Sequence, residues 1–242
     1  MRYKLIVSYD GSNYHGFQKQ NNGLGVEEVI ETALFQITKE ETNIVGSGRT
    51  DRGVHAYGQV CHFDSSVNLQ ESNWTKALNT FLPSDIRVIS VTEVSDDFHA
   101  RFHAKKKKYS YVITRKYDLF KRNHQTYIHY PLDVSLMKEA LMDFVGKHDF
   151  YGFSTYVMNK PTIKEIFEAT LTEDGDKIVI SFVADGFLKY MVRSMVGTLI
   201  DIGRGKLSKD IVKEVLESKD RSKAGKTAKP EGLYLEYVLY DE

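Results

Sequence analysis

Residues 46–56 read Gly-Ser-Gly-Arg-Thr-Asp-Arg-Gly-Val-His-Ala, and three glycines fall within eight positions, Gly46 to Gly53. Ile44 and Val45 lead in, and Val60, Cys61 and Phe63 follow. That pattern requires strand, tight loop, strand, because glycine supplies the backbone freedom that a sharp turn or a close approach demands. The loop carries Asp51 between Arg49 and Arg52. Gly48 and Gly53 have the spacing of a phosphate-binding loop, but Val54-His55 stands where Lys-Ser/Thr is needed and no helix pattern begins there. A β-hairpin tip with a surface ion pair is the plain alternative.

The periodicity around this loop is regular. Tyr3, Leu5, Val7 and Tyr9 alternate with more polar positions and read as a strand. Val26, Val29, Ile30, Ala33, Leu34 and Ile37 share one face of a helix. Ser72 is a candidate N-cap for a helix whose Trp74, Ala77, Leu78 and Phe81 lie together. Pro83 ends it, and residues 86–94 read as a strand. The order is β-α-β-β-α-β, the ferredoxin-like unit.

The second half follows the same order. Residues 109–114 form a strand after a lysine run, and Val134, Met137, Ala140, Leu141 and Phe144 a helix. Ile163, Glu165, Phe167, Ala169 and Leu171 alternate, and Asp174-Gly175 turns into Ile178, Ile180 and Phe182. Residues 187–202 form a strongly apolar helix, residues 209–217 an extra helix, and residues 233–240 a closing strand. The expected class is α+β: two ferredoxin-like halves, 1–104 and 105–242, joined into one sheet with a central cleft.

Composition narrows the function classes. The chain has 242 residues and one cysteine, Cys61, so no internal disulfide is possible. No apolar run reaches membrane-spanning length, and residues 1–11 run into a strand without a signal-peptide core. A cytoplasmic protein without membrane association is expected. Net charge is zero, which argues against a simple, strongly basic nucleic-acid binder. The charges are segregated, however. Residues 99–125 hold nine Lys/Arg and one acid, and residues 204–230 nine Lys/Arg and four acids. The two stretches are expected to form one positive face, the first of them holding Lys105, Lys106, Lys107 and Lys108. A solvated strand end is the alternative.

The string GSGRTDRGVHAYGQV resembles the signature of the TruA-type tRNA pseudouridine synthase family, Gly-Arg-Thr-Asp-x-Gly-Val-His-Ala. The resemblance continues through Tyr9-Asp10-Gly11 to Gln18, Asp97-Phe98-His99-Ala100-Arg101-Phe102, Lys108-Tyr109-Ser110-Tyr111, His148-Asp149-Phe150, the helix bearing Met191-Val192-Arg193, and Gly232-Leu233-Tyr234-Leu235. Arg52 stands where the family usually has a small residue, and Gly23 to Val26 lacks the family's Thr-Val-Gln-Gly.

The resemblance implies isomerisation of uridine to pseudouridine in the anticodon stem-loop of tRNA, at family target positions 38, 39 or 40. It implies Asp51, Tyr109 and Arg193 as catalytic residues, and a homodimer. Arg49, Arg52 and Lys105 to Lys108 are the candidate RNA contacts. The reaction breaks N1–C1′, turns the base and rejoins it through C5. It has no net redox change, so no cofactor is required. It needs an ionised carboxylate, a cation to keep it ionised, and an aromatic ring to hold a base taken out of its stack.

Three other readings remain. One is a related enzyme acting on another structured RNA. Another is a non-catalytic RNA binder, since tandem β-α-β-β-α-β units also describe RNA-recognition modules. The last is a metal-dependent hydrolase using Asp51, His55, His62, Asp64, His99 and His103, although no known ligand spacing is met and no metal is expected.

Overall fold

The computed structural model describes residues 1–155 and 161–241. In chain order the elements are β1 (Arg2–Tyr9), α1 (Val26–Thr38), β2 (Val45–Gly46), β3 (His55–Asp64), α2 (Glu71–Phe81), β4 (Ile86–Val94), β5 (Lys106–Thr114), β6 (Thr126–Tyr127), α3 (Val134–Leu141), β7 (Gly146–Asp149), β8 (Ile163–Asp174), β9 (Lys177–Ala184), α4 (Met191–Gly203), α5 (Ile211–Ser218) and β10 (Leu233–Leu239). The class is α+β. Two compact units form, Met1–Lys105 with the chain from Tyr234 onward, and Lys106–Leu233.

In the first unit β1 lies between β4 and β3, antiparallel to both. β2 pairs antiparallel with β3 at His62 and Cys61, and β10 pairs parallel with β3 at His55 and Ala56. The last strand therefore belongs to the first unit, although chain order assigns it to residues 105–242. It pairs with the β3 edge that the two-residue β2 leaves open.

Tyr3, Leu5, Val7 and Tyr9 are buried, as their alternation predicts. The Tyr3 ring lies 5.3 Å from Phe63 and 5.4 Å from fully buried Trp74 of α2, so this face of the sheet carries the helices. Helix α2 begins at Glu71 with Gln70 as N-cap and no side-chain cap bond, so Ser72 is not the cap. The Glu71 carboxylate instead accepts the Glu93 N–H at 2.9 Å, tying the helix start to β4.

One irregularity matters for the site. β1 and β3 keep one register from Arg2↔Asp64 to Val7↔Gln59, then resume at Tyr9↔Ala56. Tyr57 and Gly58 thus face the single residue Ser8, a β-bulge. Beyond a bulge the alternation changes parity, so Ala56 joins Tyr9 on the helix-bearing face. His55 and Tyr57 turn to the opposite one.

The second unit carries the antiparallel order β5-β9-β8-β7, with β6 parallel to β5 at its end. A bulge at Phe167 interrupts β8, between Ile166↔Ala184 and Glu168↔Val183. Ala169 and Leu171 are buried as expected, but Ile166 is buried in place of Ile163 and Phe167, which stay exposed. Helix α4 starts at Met191, not Phe187, because Tyr190 adopts a left-handed conformation at φ 62°. It is buried on nearly every side. Gly197 within it lets residues 225–228 cross closely: a Cβ there would stand 1.7 Å from the Lys226 carbonyl oxygen.

Candidate active site

The signature loop is held at both ends and from below. At its entry the Ser47 N–H donates to Val60 O at 2.7 Å, and Ser47 Oγ to Gln59 Oε1 at 2.7 Å. The same Gln59 amide donates to Gly48 O at 3.0 Å, so one fully buried side chain clamps the first turn. At its exit Val54 N–H donates to Asp51 O at 3.1 Å, and Gly53 adopts φ 77°, which only glycine takes without strain. Between them Thr50 is buried, its hydroxyl 2.8 Å from Tyr9 Oη and its carbonyl accepting the Phe17 N–H at 3.2 Å.

The N-terminal motif is the bed on which the loop lies. A Cβ at Gly11 would stand 2.0 Å from Val54 O, and one at Gly16 2.5 Å from Thr50 O. These contacts hold the Tyr9–Gln18 segment close beneath the loop. Thr50 points inward, Asp51 is half-buried, and Arg49 and Arg52 are exposed. The Arg49 charge also acts on Glu27, in the first turn of α1. Sequence reasoning missed Gln59 and Tyr9 as supports. A polar residue of zero exposure in mid-strand was the available signal for Gln59 only once burial was known.

His55 is buried, and its Nδ1 accepts the Gly11 N–H at 3.1 Å and lies 3.1 Å from an Asp10 oxygen. Its ring stacks on Tyr234 at 4.7 Å, and Tyr234 stacks on Tyr57 at 5.2 Å with only 12° between planes.

The second unit holds Tyr109 and Arg193. Tyr109, on β5 opposite Phe182, is nearly buried and meets Phe187 edge-on at 5.1 Å. Arg193 sits in the first turn of α4 and is half-buried. Its Nε donates to Ala228 O at 2.7 Å, Ala228 N–H returns a bond to Arg193 O at 2.9 Å, and its guanidinium lies over the Tyr190 ring at 5.2 Å. The crossing segment permitted by Gly197 thus fixes the arginine's direction. Tyr111 secures the next stretch: its hydroxyl lies 2.6 Å from Thr126 Oγ1 and donates to Lys229 O at 2.8 Å.

The expectation of one basic face needs correction. Lys105 precedes the strand and pairs with Asp241 at 2.8 Å. Lys106 and Lys108 point to one side of β5, and Lys107 shares the other with Tyr109, because strand side chains alternate. Lys106 packs over the Phe167 ring. In the second basic stretch Lys209 pairs with Glu139, Lys213 with Asp143, Lys219 with Asp149, Lys223 with Glu214 and Lys229 with Glu231. Glu139, Asp143 and Asp149, distant in sequence, and Glu214 and Glu231, close by, neutralise part of what looked basic.

The hydrolase constellation is likewise not assembled. Among the described residues, the ligand atoms of Asp51, His55, His62, Asp64, His99 and His103 do not gather at metal-binding distance. Asp64 forms a two-point pair with Arg2, at 2.8 Å to each oxygen. Three of the histidines accept backbone N–H groups of the 98–103 loop: His62 from Ala100, His99 from Arg101 and Phe102, His103 from His99. Burial pushes the His62 imidazole down to about 4, with Arg2 and His99 acting in the same direction and Asp64 opposing.

An unfolded His62 takes up its proton near pH 6.5, whereas the folded one resists until about pH 4. Stability is therefore expected to fall as pH drops through that window, because the unfolded state binds more protons. Urea denaturation at several pH values checks this. His62→Asn, which retains an acceptor but does not titrate, should flatten the dependence; an unchanged slope would assign it elsewhere.

Known proteins are similar to this chain in sequence along its length. A family model described as tRNA pseudouridine synthase matches residues 5–103 and 140–241. A tRNA pseudouridine synthase A of Exiguobacterium sibiricum is 44% identical over 244 residues, covering 100% of this chain and 97% of its own. Its namesake in Thermoanaerobacter sp. (strain X514) is 44% identical over 239 residues, 98% of each chain. That of Streptococcus equi subsp. equi is 45% identical over 249 residues, covering 100% of this chain and 99% of its own. With the signature loop, the bed beneath it and the arginine helix all within the matched residues, this chain belongs to the tRNA pseudouridine synthase family, enzymes that convert uridine in tRNA to pseudouridine.

Proposed function

We propose that the protein isomerises uridines of the anticodon arm of tRNA, at positions 38, 39 or 40, with Asp51, Tyr109 and Arg193 acting on one extruded base. The observation that carries this reading is the clamped loop, which holds Asp51 between a buried Thr50 and a glycine turn. A carboxylate on so determined a backbone is preorganised for attack or proton removal. Arg193 is the cation that keeps it ionised. Tyr109 stacks on the base and takes the C5 proton late in the reaction, while N1 gains a proton and C5 replaces it at C1′. Arg49, Arg52 and Lys106 to Lys108 contact phosphates, and Lys105, paired with Asp241, contributes least.

The order β4-β1-β3-β2 supports reading the first unit as ferredoxin-like, and a tRNA substrate supports a cytoplasmic setting. The test is tritium release from [5-3H]uridine in a tRNA transcript, followed by mapping of the modified site. Binding without release would instead favour a non-catalytic RNA binder. Release from another structured RNA and not from tRNA would favour the divergent reading.

A homodimer is part of this proposal. Phe120 is 88% and Leu119 55% exposed, side by side after Asp118 caps a single 3-10 turn. Adjacent apolar side chains this open on an ordered turn suit a protein interface. Leu119→Asp with Phe120→Asp is expected to convert a dimer to a monomer in sedimentation and to weaken tRNA binding. A double variant that sediments as wild type removes this surface from the interface.

A further inference from the structure

The ring column His55–Tyr234–Tyr57 has no part in the roles assigned above. Tyr57 is the second residue after His55, and the bulge at Tyr57–Gly58 turns both to the face opposite the helices. Tyr234 comes from β10, which pairs with β3 at His55. Gly58 permits the close approach of this strand: a Cβ there would stand 2.7 Å from Glu236 O. Three rings therefore stack in sequence, at 4.7 and 5.2 Å with interplanar angles of 22° and 12°. His55 and Tyr234 are buried, whereas Tyr57 is 58% exposed although Tyr234 covers one face of its ring. The column ends in an open aromatic face.

We propose that Tyr57 is a base-stacking subsite: an unpaired nucleobase of the substrate RNA, next to the reacting uridine, stacks on the outer face of its ring. The column is preorganised, because a ring already held by a buried neighbour loses little freedom when a base adds to it. Every base offers a π-face, so the subsite takes any base and supplies affinity and placement, not sequence preference. Its position suits a flanking nucleotide. Tyr57 follows Val54, whose N–H closes the Asp51 turn, by three residues. This inference rests on the RNA-modifying reading, and its test separates the two.

The experiment measures binding of an unmodified tRNA transcript, and single-turnover pseudouridine formation, for wild type, Tyr57→Ala, Tyr57→Leu and Tyr57→Phe. Tyr57→Ala and Tyr57→Leu should bind the transcript roughly 5- to 150-fold more weakly, the range of one base–aromatic stack. Tyr57→Phe should stay within about twofold. The slope of affinity against salt should not change, since no phosphate contact is removed. A purely structural role would instead lower the melting temperature and leave the tRNA affinity of the folded variant unchanged.

Transcripts with single abasic positions in the anticodon loop provide an arm that needs no variant. One such position should weaken wild-type binding by the same factor, and should cost nothing further in Tyr57→Leu. Affinities of both variants within twofold of wild type, or a loss traced by sedimentation to a broken dimer, overturn the subsite. No pseudouridine from wild type in any transcript sinks the proposed activity, while the binding arm still decides Tyr57.

Discussion

Asp51→Asn is expected to abolish pseudouridine formation, with a loss of roughly ten-thousand-fold or more in the single-turnover rate, as for other essential catalytic groups. The substitution keeps the shape of the side chain and removes its charge and its nucleophilic oxygen. The loop should survive it. The bond that closes the turn uses the Asp51 carbonyl and the Val54 N–H, both backbone groups. The remaining supports are Thr50, Gln59 and the glycines beneath. The variant should melt near wild type and bind tRNA at least as well, because a negative charge near the phosphates is gone. A folded Asp51→Asn protein that turns over within tenfold of wild type removes Asp51 as the catalyst.

Arg193→Ala is expected to cost roughly a hundredfold to a thousandfold in rate, comparable to removing one preorganised group that stabilises charge. A stability cost of about 1–3 kcal/mol should accompany it, since the buried Ala228 carbonyl loses its Nε donor. Arg193→Lys should recover part of the rate. The ammonium restores charge but cannot hold the Ala228 carbonyl and present a two-point face at once. If the arginine serves to keep Asp51 ionised, the acid limb of the pH–rate profile should move to higher pH in Arg193→Ala and by less in Arg193→Lys. A profile identical to wild type, with the rate merely scaled, would leave Arg193 only a structural part.

How much of this was legible before folding differs from residue to residue. The signature loop could be read directly, since its glycines, its paired arginines and Asp51 are consecutive. The arginine helix could be read from its apolar run, though not its start. Phe187 continues the run, and only the left-handed Tyr190 separates it and leaves it free to meet Tyr109. Ser72 looked like a cap by residue type, but Glu71 reaches β4, a contact no local pattern contains. The lysines of residues 204–230 looked like an RNA face. Their acids lie partly in α3, the turn after it and β7, distant in sequence, and the pairing was invisible.

The amino-acid sequence by itself determined the period of each element, the sharp turns and the cluster of reactive residue types, because these depend on neighbours a few positions away. The tertiary structure decided which face each side chain occupies and which strands meet. One extra residue at Tyr57–Gly58 reverses the alternation of β3 only because Ser8 of β1 fixes the register opposite it. One at Phe167 does the same in β8 against β9. The last strand pairs with the edge of β3 that β2 leaves open, a partner distant in sequence. Register is a property of two strands together, and neither strand carries it alone.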